Sequence, residues 1–363
     1  MENAFFSKEA VNKGRQTEFD WAKAFTIIVM VTVHVYEELS TADLNIVPTG
    51  PFRNILEFLA GPLGAPVFMF SMGVGIMYSR NATPGKMGLR GLKLLRNGYL
   101  LSFFKGTLFI IIGTALGLKT PMSIADSLFL VSILQFAGMT FFAIALMKKL
   151  EFPLPAMLAA SIVLSFAGTA LNTYDMQGWK QYVLGLLFIT NRVTTFPLFL
   201  WLFYPVFGMC FACYLQRARD KRRLYIYCFI TGGIGLILTS IVYTLCGIDL
   251  KTMYMLKDRV FYSQTPLHLL FTSFVILMGM SIYYLLSEVI TLRPVVKAVS
   301  YLGNNLDIIY IVQWLLIAYT EVAMLAMNTE KVPVVWILPV AVLILLLSVG
   351  ITRIYLKSKG KIC

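Results

Sequence analysis

Charge is scarce in this sequence. Asp, Glu, Lys and Arg make up 13% of its 363 residues, about half the share usual in soluble domains. That scarcity argues against an ordinary water-soluble enzyme. The chain is 58% hydrophobic, and several apolar runs approach the roughly 20 residues that cross a hydrocarbon layer. Histidine is rarer still, with His34 and His268 alone. Cys210, Cys213, Cys228, Cys246 and Cys363 show no disulfide framework. The Cys210–Cys213 pair lies in an apolar span with no His or Cys partner nearby, so neither redox nor metal chemistry is expected. Internal repeats and low-complexity tracts are missing, and no loop is long enough for a separate domain. The opening MENAFFSKEAVNKGRQTEFD lacks the apolar core and small-residue cleavage site of a signal peptide, so the first span is expected to stay in the mature protein.

What is present is the pattern of an all-α, polytopic membrane protein. The apolar runs predict ten transmembrane helices, near 19–38, 54–79, 98–117, 125–147, 154–172, 195–215, 224–246, 265–286, 303–326 and 333–355. Segment 181–190 is too short to span and reads as interfacial or re-entrant. Residues 1–363 read as one transmembrane domain, with a cytoplasmic segment 1–18 and a basic cytoplasmic tail 356–363. The net charge is +13, which in a soluble protein would suggest nucleic acid. No nucleic acid is expected here, because the Lys and Arg residues are sorted by loop. Alternate loops collect 21 on one side and 8 on the other, with Lys23 and Lys105 inside spans. Basic loops stay cytoplasmic, which predicts both termini inside a cell (plasma or inner) membrane. Membrane lipids are the immediate surroundings, and a two-fold dimer is the default assembly.

The first span, DWAKAFTIIVMVTVHVYEEL, carries charge that a lipid-facing helix would avoid. Lys23 and His34 are eleven residues apart, which places them on one helix face about 16 Å apart along the axis. Asp20 is spaced to pair with Lys23, and Glu37 or Glu38 to orient the His34 imidazole, with the four-residue spacing of Glu38 preferred. His268 is expected at similar depth from the same side, consistent with a shared site.

Three stretches together resemble the transmembrane acyltransferases, a superfamily that includes the acyltransferase-3 and heparan-α-glucosaminide N-acetyltransferase families. They are Arg15…Phe19-Asp20…Lys23 with His34, GAPVFMFSMGVGIMYSR followed by LRGLKLLRNGYLL, and SYLGNNLDIIYIVQW. Two positions depart from the family pattern. Lys23 stands where the family has Arg, keeping the charge without the bidentate fork, and Gln313 stands where many members have His.

The resemblance implies transfer of an acyl group, usually acetyl from acetyl-CoA, to a hydroxyl or amine of a glycan or other cell-envelope acceptor, or a small molecule. His34 would be the general base or the acyl carrier, with Glu37 or Glu38 fixing its tautomer. The phosphates of acyl-CoA would be drawn to a cationic cytoplasmic mouth formed by Lys23, Arg90, Lys93 and Arg96, with Lys105 continuing inward and Asn304 and Asn305 hydrogen-bonding the donor. His268, Arg192, Arg259 and Trp179 would meet the acceptor outside. No metal is implied. A secondary transporter, or a noncatalytic assembly or lipid-binding protein, is the alternative.

Overall fold

Where apolar runs are long enough the chain is helical, and Gly, Pro and polar clusters interrupt it. The computed structural model of the chain describes residues 5–80, 82–117, 119–120, 122–172, 176 and 178–360. The first four residues of the N-terminal segment and the last three of the tail, Cys363 included, lie outside them. The helices in chain order are α1 Thr17–Leu39, α2 Gly50–Ala60, α3 Ala65–Tyr78, α4 Pro84–Ser102, α5 Leu108–Ala115, α6 Ile124–Leu128, α7 Ile133–Lys149 and α8 Leu154–Leu171. They continue with α9 Lys180–Leu184, α10 Leu198–Trp201, α11 Phe203–Arg217, α12 Lys221–Leu245, α13 Pro266–Val289, α14 Arg293–Asn304, α15 Leu306–Ala326 and α16 Ile337–Ser358. Among the described residues there is no β-strand beyond isolated bridges.

Nine helical stretches among the described residues are long and apolar enough to cross a membrane. The protein is a polytopic helical membrane protein. α7, with 17 residues, packs along α4 where the sequence predicted a further crossing. Three expectations change. The predicted 54–79 span is broken at Gly61–Gly64 into α2 and α3. The predicted 98–117 span begins at Pro84 and passes through a π-helical turn, Phe103–Thr107, before α5. The loop after α13 folds into amphipathic α14, which starts at Arg293-Pro294. Segment 181–190 forms α9 and a turn, short of a crossing, as its length predicted.

α1 occupies the centre. In its apolar window 72% of residues are buried, against 22% in that of α16. α3, α13, α14, α15 and α16 all pack on it. The outer face of α12 instead shows Ile230, Ile234, Ile237 and Ile241 outward, as lipid contact requires. Helix pairs approach closely through small residues, the usual device in hydrocarbon. A Cβ on Gly73 would fall 1.8 Å from the Pro205 carbonyl oxygen, and one on Gly208 would fall 2.0 Å from that of Phe70. α3 and α11 therefore meet backbone to backbone.

Two buried ion pairs fix the ends of the central helix. Near its start, fully buried Glu18 accepts from Lys221 Nζ at 2.9 Å and from the Tyr225 hydroxyl at 2.9 Å, tying α1 to α12. Near its end, fully buried Glu57 accepts from Arg53 (Nη2, 3.0 Å), the Tyr36 hydroxyl (3.0 Å) and the Leu256 backbone N–H (3.0 Å). This second knot joins α1, α2 and the loop leading to α13.

Candidate functional site

Three adjoining cavities run along α1 from one face of the bundle to the other. The outermost, about 380 Å³, is lined by Lys13, Arg15, Asp20, Lys23, Tyr78 and Asn304. It shares Lys23, Ser71, Gly75 and Asn304 with the next, about 490 Å³, to which Arg90, Lys93, Asn97 and Asp307 also belong. The third, about 750 Å³, contains His34, Glu37, Glu38, Lys105, Trp314, Arg192 and Arg259. The second and third share Met30, Ile133 and Tyr310, so these three side chains form the septum between them.

His34 is built into the third chamber by α1 and α15. Its Nδ1 stands 3.0 Å from Gln313 Nε2 and 3.3 Å from Gln313 Oε1, and Gln313 is fully buried. The carboxamide therefore governs the ring's tautomer: Oε1 accepts from Nδ1–H, or Nε2–H donates to a bare Nδ1. Nε2 of the ring has no partner among the described residues and is left to the chamber. The imidazole lies against Trp314, with ring centroids 4.0 Å apart. Lys105 Nζ stands 3.5 Å from the centroid of the same indole. The π-helical turn that carries Lys105 is held by Thr107 Oγ1, which donates to Ser127 Oγ at 3.1 Å. Such turns inside helices are frequently found at functional sites.

The far wall of this chamber comes from the loop before α13. Arg259 Nη2 donates to Thr195 Oγ1 at 2.5 Å, and its Cζ lies 5.3 Å from the Tyr262 ring centroid. Burial raises the Tyr262 hydroxyl well above its ordinary pKa, so it acts there as a neutral phenol.

A family model described as an acyltransferase domain matches residues 16–353. The chain belongs to the acyltransferase-3 family. No curated protein and no solved structure matches it significantly.

Within this acyltransferase the expected site residues divide. His34, Glu37, Glu38, Lys105, Arg192 and Arg259 share the third chamber. Lys23, Arg90, Lys93 and Asn304 share the second. The others require correction. Glu37 and Glu38 do not bond the His34 ring; Gln313, 279 residues away in sequence, does. Asp20 pairs with Arg15 (2.7 Å) in place of Lys23. Lys105 stands inward of the two cavities at the basic face, in the chamber of His34. Arg96 is exposed, bonds Asn97 and lines none of these cavities. Asn305 gives its side-chain N–H to the Tyr301 carbonyl, within its own helix junction. Trp179 is 71% exposed and outside the chambers. His268 lies in the first turn of α13, where Thr265, Tyr243 and the Thr252 carbonyl surround its ring, so the two histidines share no site. Gln313 and Trp314 were visible as letters in the SYLGNNLDIIYIVQW stretch. Their bearing on His34 is set by how α15 lies against α1, which spacing within one helix does not report.

Proposed function

We propose that the chain transfers an acetyl group from cytoplasmic acetyl-CoA to a hydroxyl or amine of a glycan or other cell-envelope acceptor, with His34 as the base. The observation that carries this reading is the row of cavities that reaches toward His34 from both faces with a three-residue septum between. A donor and an acceptor from opposite compartments meet at a ring nitrogen that the protein leaves unpaired.

Lys13, Arg15, Lys23, Arg90 and Lys93 line the two cavities at the basic face. Their charge suits the phosphates of a coenzyme A thioester. Ser71 Oγ, buried without a partner among the described residues, lines both and offers a further polar contact. The thioester arm then extends past Met30, Ile133 and Tyr310. In the third chamber His34 Nε2 takes the acceptor's proton, and the freed oxygen or nitrogen bonds to the thioester carbonyl carbon. As the C–S bond breaks, the leaving thiolate takes the proton from the imidazolium. This order requires the tautomer in which Gln313 Oε1 accepts from Nδ1–H, which keeps the lone pair on Nε2. Lys105 offers positive charge to the oxygen that turns negative in the tetrahedral intermediate. The basic face is cytoplasmic in this reading, with both termini inside and the plasma or inner membrane as the location.

Thiol release by purified protein supplied with acetyl-CoA and an acceptor-rich envelope extract tests the proposal. Wild type is expected to release CoA and label the extract with acetyl, and His34→Ala to do neither while remaining folded. Movement of an extract component across liposomes without CoA release would point instead to transport.

A further inference from the structure

We propose that the acceptor is an anion, held through a carboxylate or phosphate by Arg259 and Arg192 on the far wall of the His34 chamber. The inference rests on the acyl-transfer reading and adds the chemistry of the acceptor to it.

Three buried carboxylates among the described residues are each matched by a guanidinium or ammonium. Glu57 has Arg53 at 3.0 Å, Asp20 has Arg15 at 2.7 Å and Glu18 has Lys221 at 2.9 Å. Arg259 is different. It is half-buried, yet among the described residues no carboxylate lies within ion-pair distance of it. Its Nε is buried with no acceptor, and Thr195 Oγ1 is the one hydrogen-bond acceptor its guanidinium reaches. Asp258 next to it is turned to Lys257, 3.7 Å away. Arg192 lines the same chamber from the turn before α10, exposed and without a partner among the described residues.

The backbone makes the same point. Asp258 and Arg259 both occupy the left-handed region, with φ of 52° and 57°, which side chains other than glycine seldom adopt. The flanks hold them there. Leu256 is bound to buried Glu57 on one side, and Phe261 is buried at 1% exposure on the other. Strained residues fixed between anchors mark places where a side chain has to stand in one orientation. Here that side chain is a guanidinium on the wall of a chamber of about 750 Å³, the size of a small-molecule site. Glu37 and Glu38 line the α1 side of the same chamber. The arginine side offers an anion a planar fork that matches a carboxylate or phosphate at two points.

Thermal unfolding of the purified full chain, with glucuronate, glucose 1-phosphate or glucose as probes, tests the inference. At least one of the two anionic sugars is expected to raise Tm where glucose does not, and which of them does so distinguishes carboxylate from phosphate. Arg259→Gly and Arg259→Lys are both expected to weaken that response about tenfold or more. Glycine takes the left-handed φ at no steric cost, so the loop keeps its shape, while lysine keeps the charge and loses the fork. Trp179→Ala, outside the chamber, is expected to respond as wild type. Equal shifts from all three sugars, no shift from any, or an anion shift that survives both Arg259 variants would overturn the assignment. Acetyl-CoA is run separately: no Tm shift and no thiol release with it would sink the acyl-transfer reading, whereas an Arg259-dependent anion shift would still stand as a binding site.

Discussion

His34 and His268 are two buried histidines in one bundle, 9% and 7% exposed, and their rings are engaged in opposite ways. His268 has both ring nitrogens engaged. Its Nδ1 faces Thr265 Oγ1 at 2.8 Å and the Tyr243 hydroxyl at 3.2 Å, and its Nε2 faces the Thr252 carbonyl at 3.1 Å. The carbonyl can only accept, so the proton sits on Nε2 and the ring is fully used as a brace between α12, α13 and the loop that joins them. His34 engages one nitrogen, with Gln313, and leaves the other facing a chamber. Burial and residue type are alike. What separates the two rings is that one nitrogen of His34 has no partner among the described residues and has a chamber in front of it, which is what the proposed base requires.

The sharpest way to break this comparison is to delete each ring in turn. His34→Ala is expected to lower acetyl transfer by about 10³-fold, within the range for loss of a general base, with little change in Tm. His268→Ala should do the reverse: stability falls by about 1–3 kcal/mol from the polar groups left unpaired, and activity per folded molecule persists. Parallel melting curves and thiol-release rates check both, and equal loss of activity in the two variants would erase the distinction. Glu57→Ala tests the clamp that holds the chamber's far wall. It strands Arg53 in a buried site and is expected to cost about 3–5 kcal/mol, read as a fall in Tm together with activity. A milder probe is Gln313→Leu, which removes the tautomer control and keeps the volume. It should lower kcat by roughly tenfold to a hundredfold, equal to about 1.4–2.7 kcal/mol, while KM for acetyl-CoA stays put. Arg96→Ala should change the least, because its side chain reaches none of the three cavities, and a rise in KM for acetyl-CoA would return it to the donor site.

Much of this was legible in the sequence where one helix contained the whole signal. The charges of DWAKAFTIIVMVTVHVYEEL marked α1 as a helix that avoids lipid, and it proves to be the central one. Lys23 and His34 do line successive cavities along it. Contacts between distant segments were not legible. Spacing offered Glu38 to His34 and Asp20 to Lys23, since it sees only neighbours on the same helix, but Gln313 and Arg15 took those places through packing and through the N-terminal segment. The break at Gly61–Gly64 was hidden because hydropathy registers composition and not backbone direction. The π-helical turn was hidden for the same reason, and it is what carries Lys105 to Trp314. Arg53 and Glu57 show the opposite case. They are four residues apart and form an i,i+4 pair, one that the sequence analysis did not single out, and its importance lies in Leu256 and Tyr36, which no local pattern connects to it.

Met30, Ile133 and Tyr310 matter for more than substrate passage. A membrane protein hollowed from both faces would let ions run down the transmembrane potential, at about 2.3 kcal/mol per charge for each 100 mV. A thioether, an aliphatic side chain and a phenol stand between the two cavities, and on the proposed reading this largely apolar septum would have to admit a thin acyl arm without admitting a line of water. On that reading, a chemical group would pass between compartments while the bilayer around the protein stays electrically sealed.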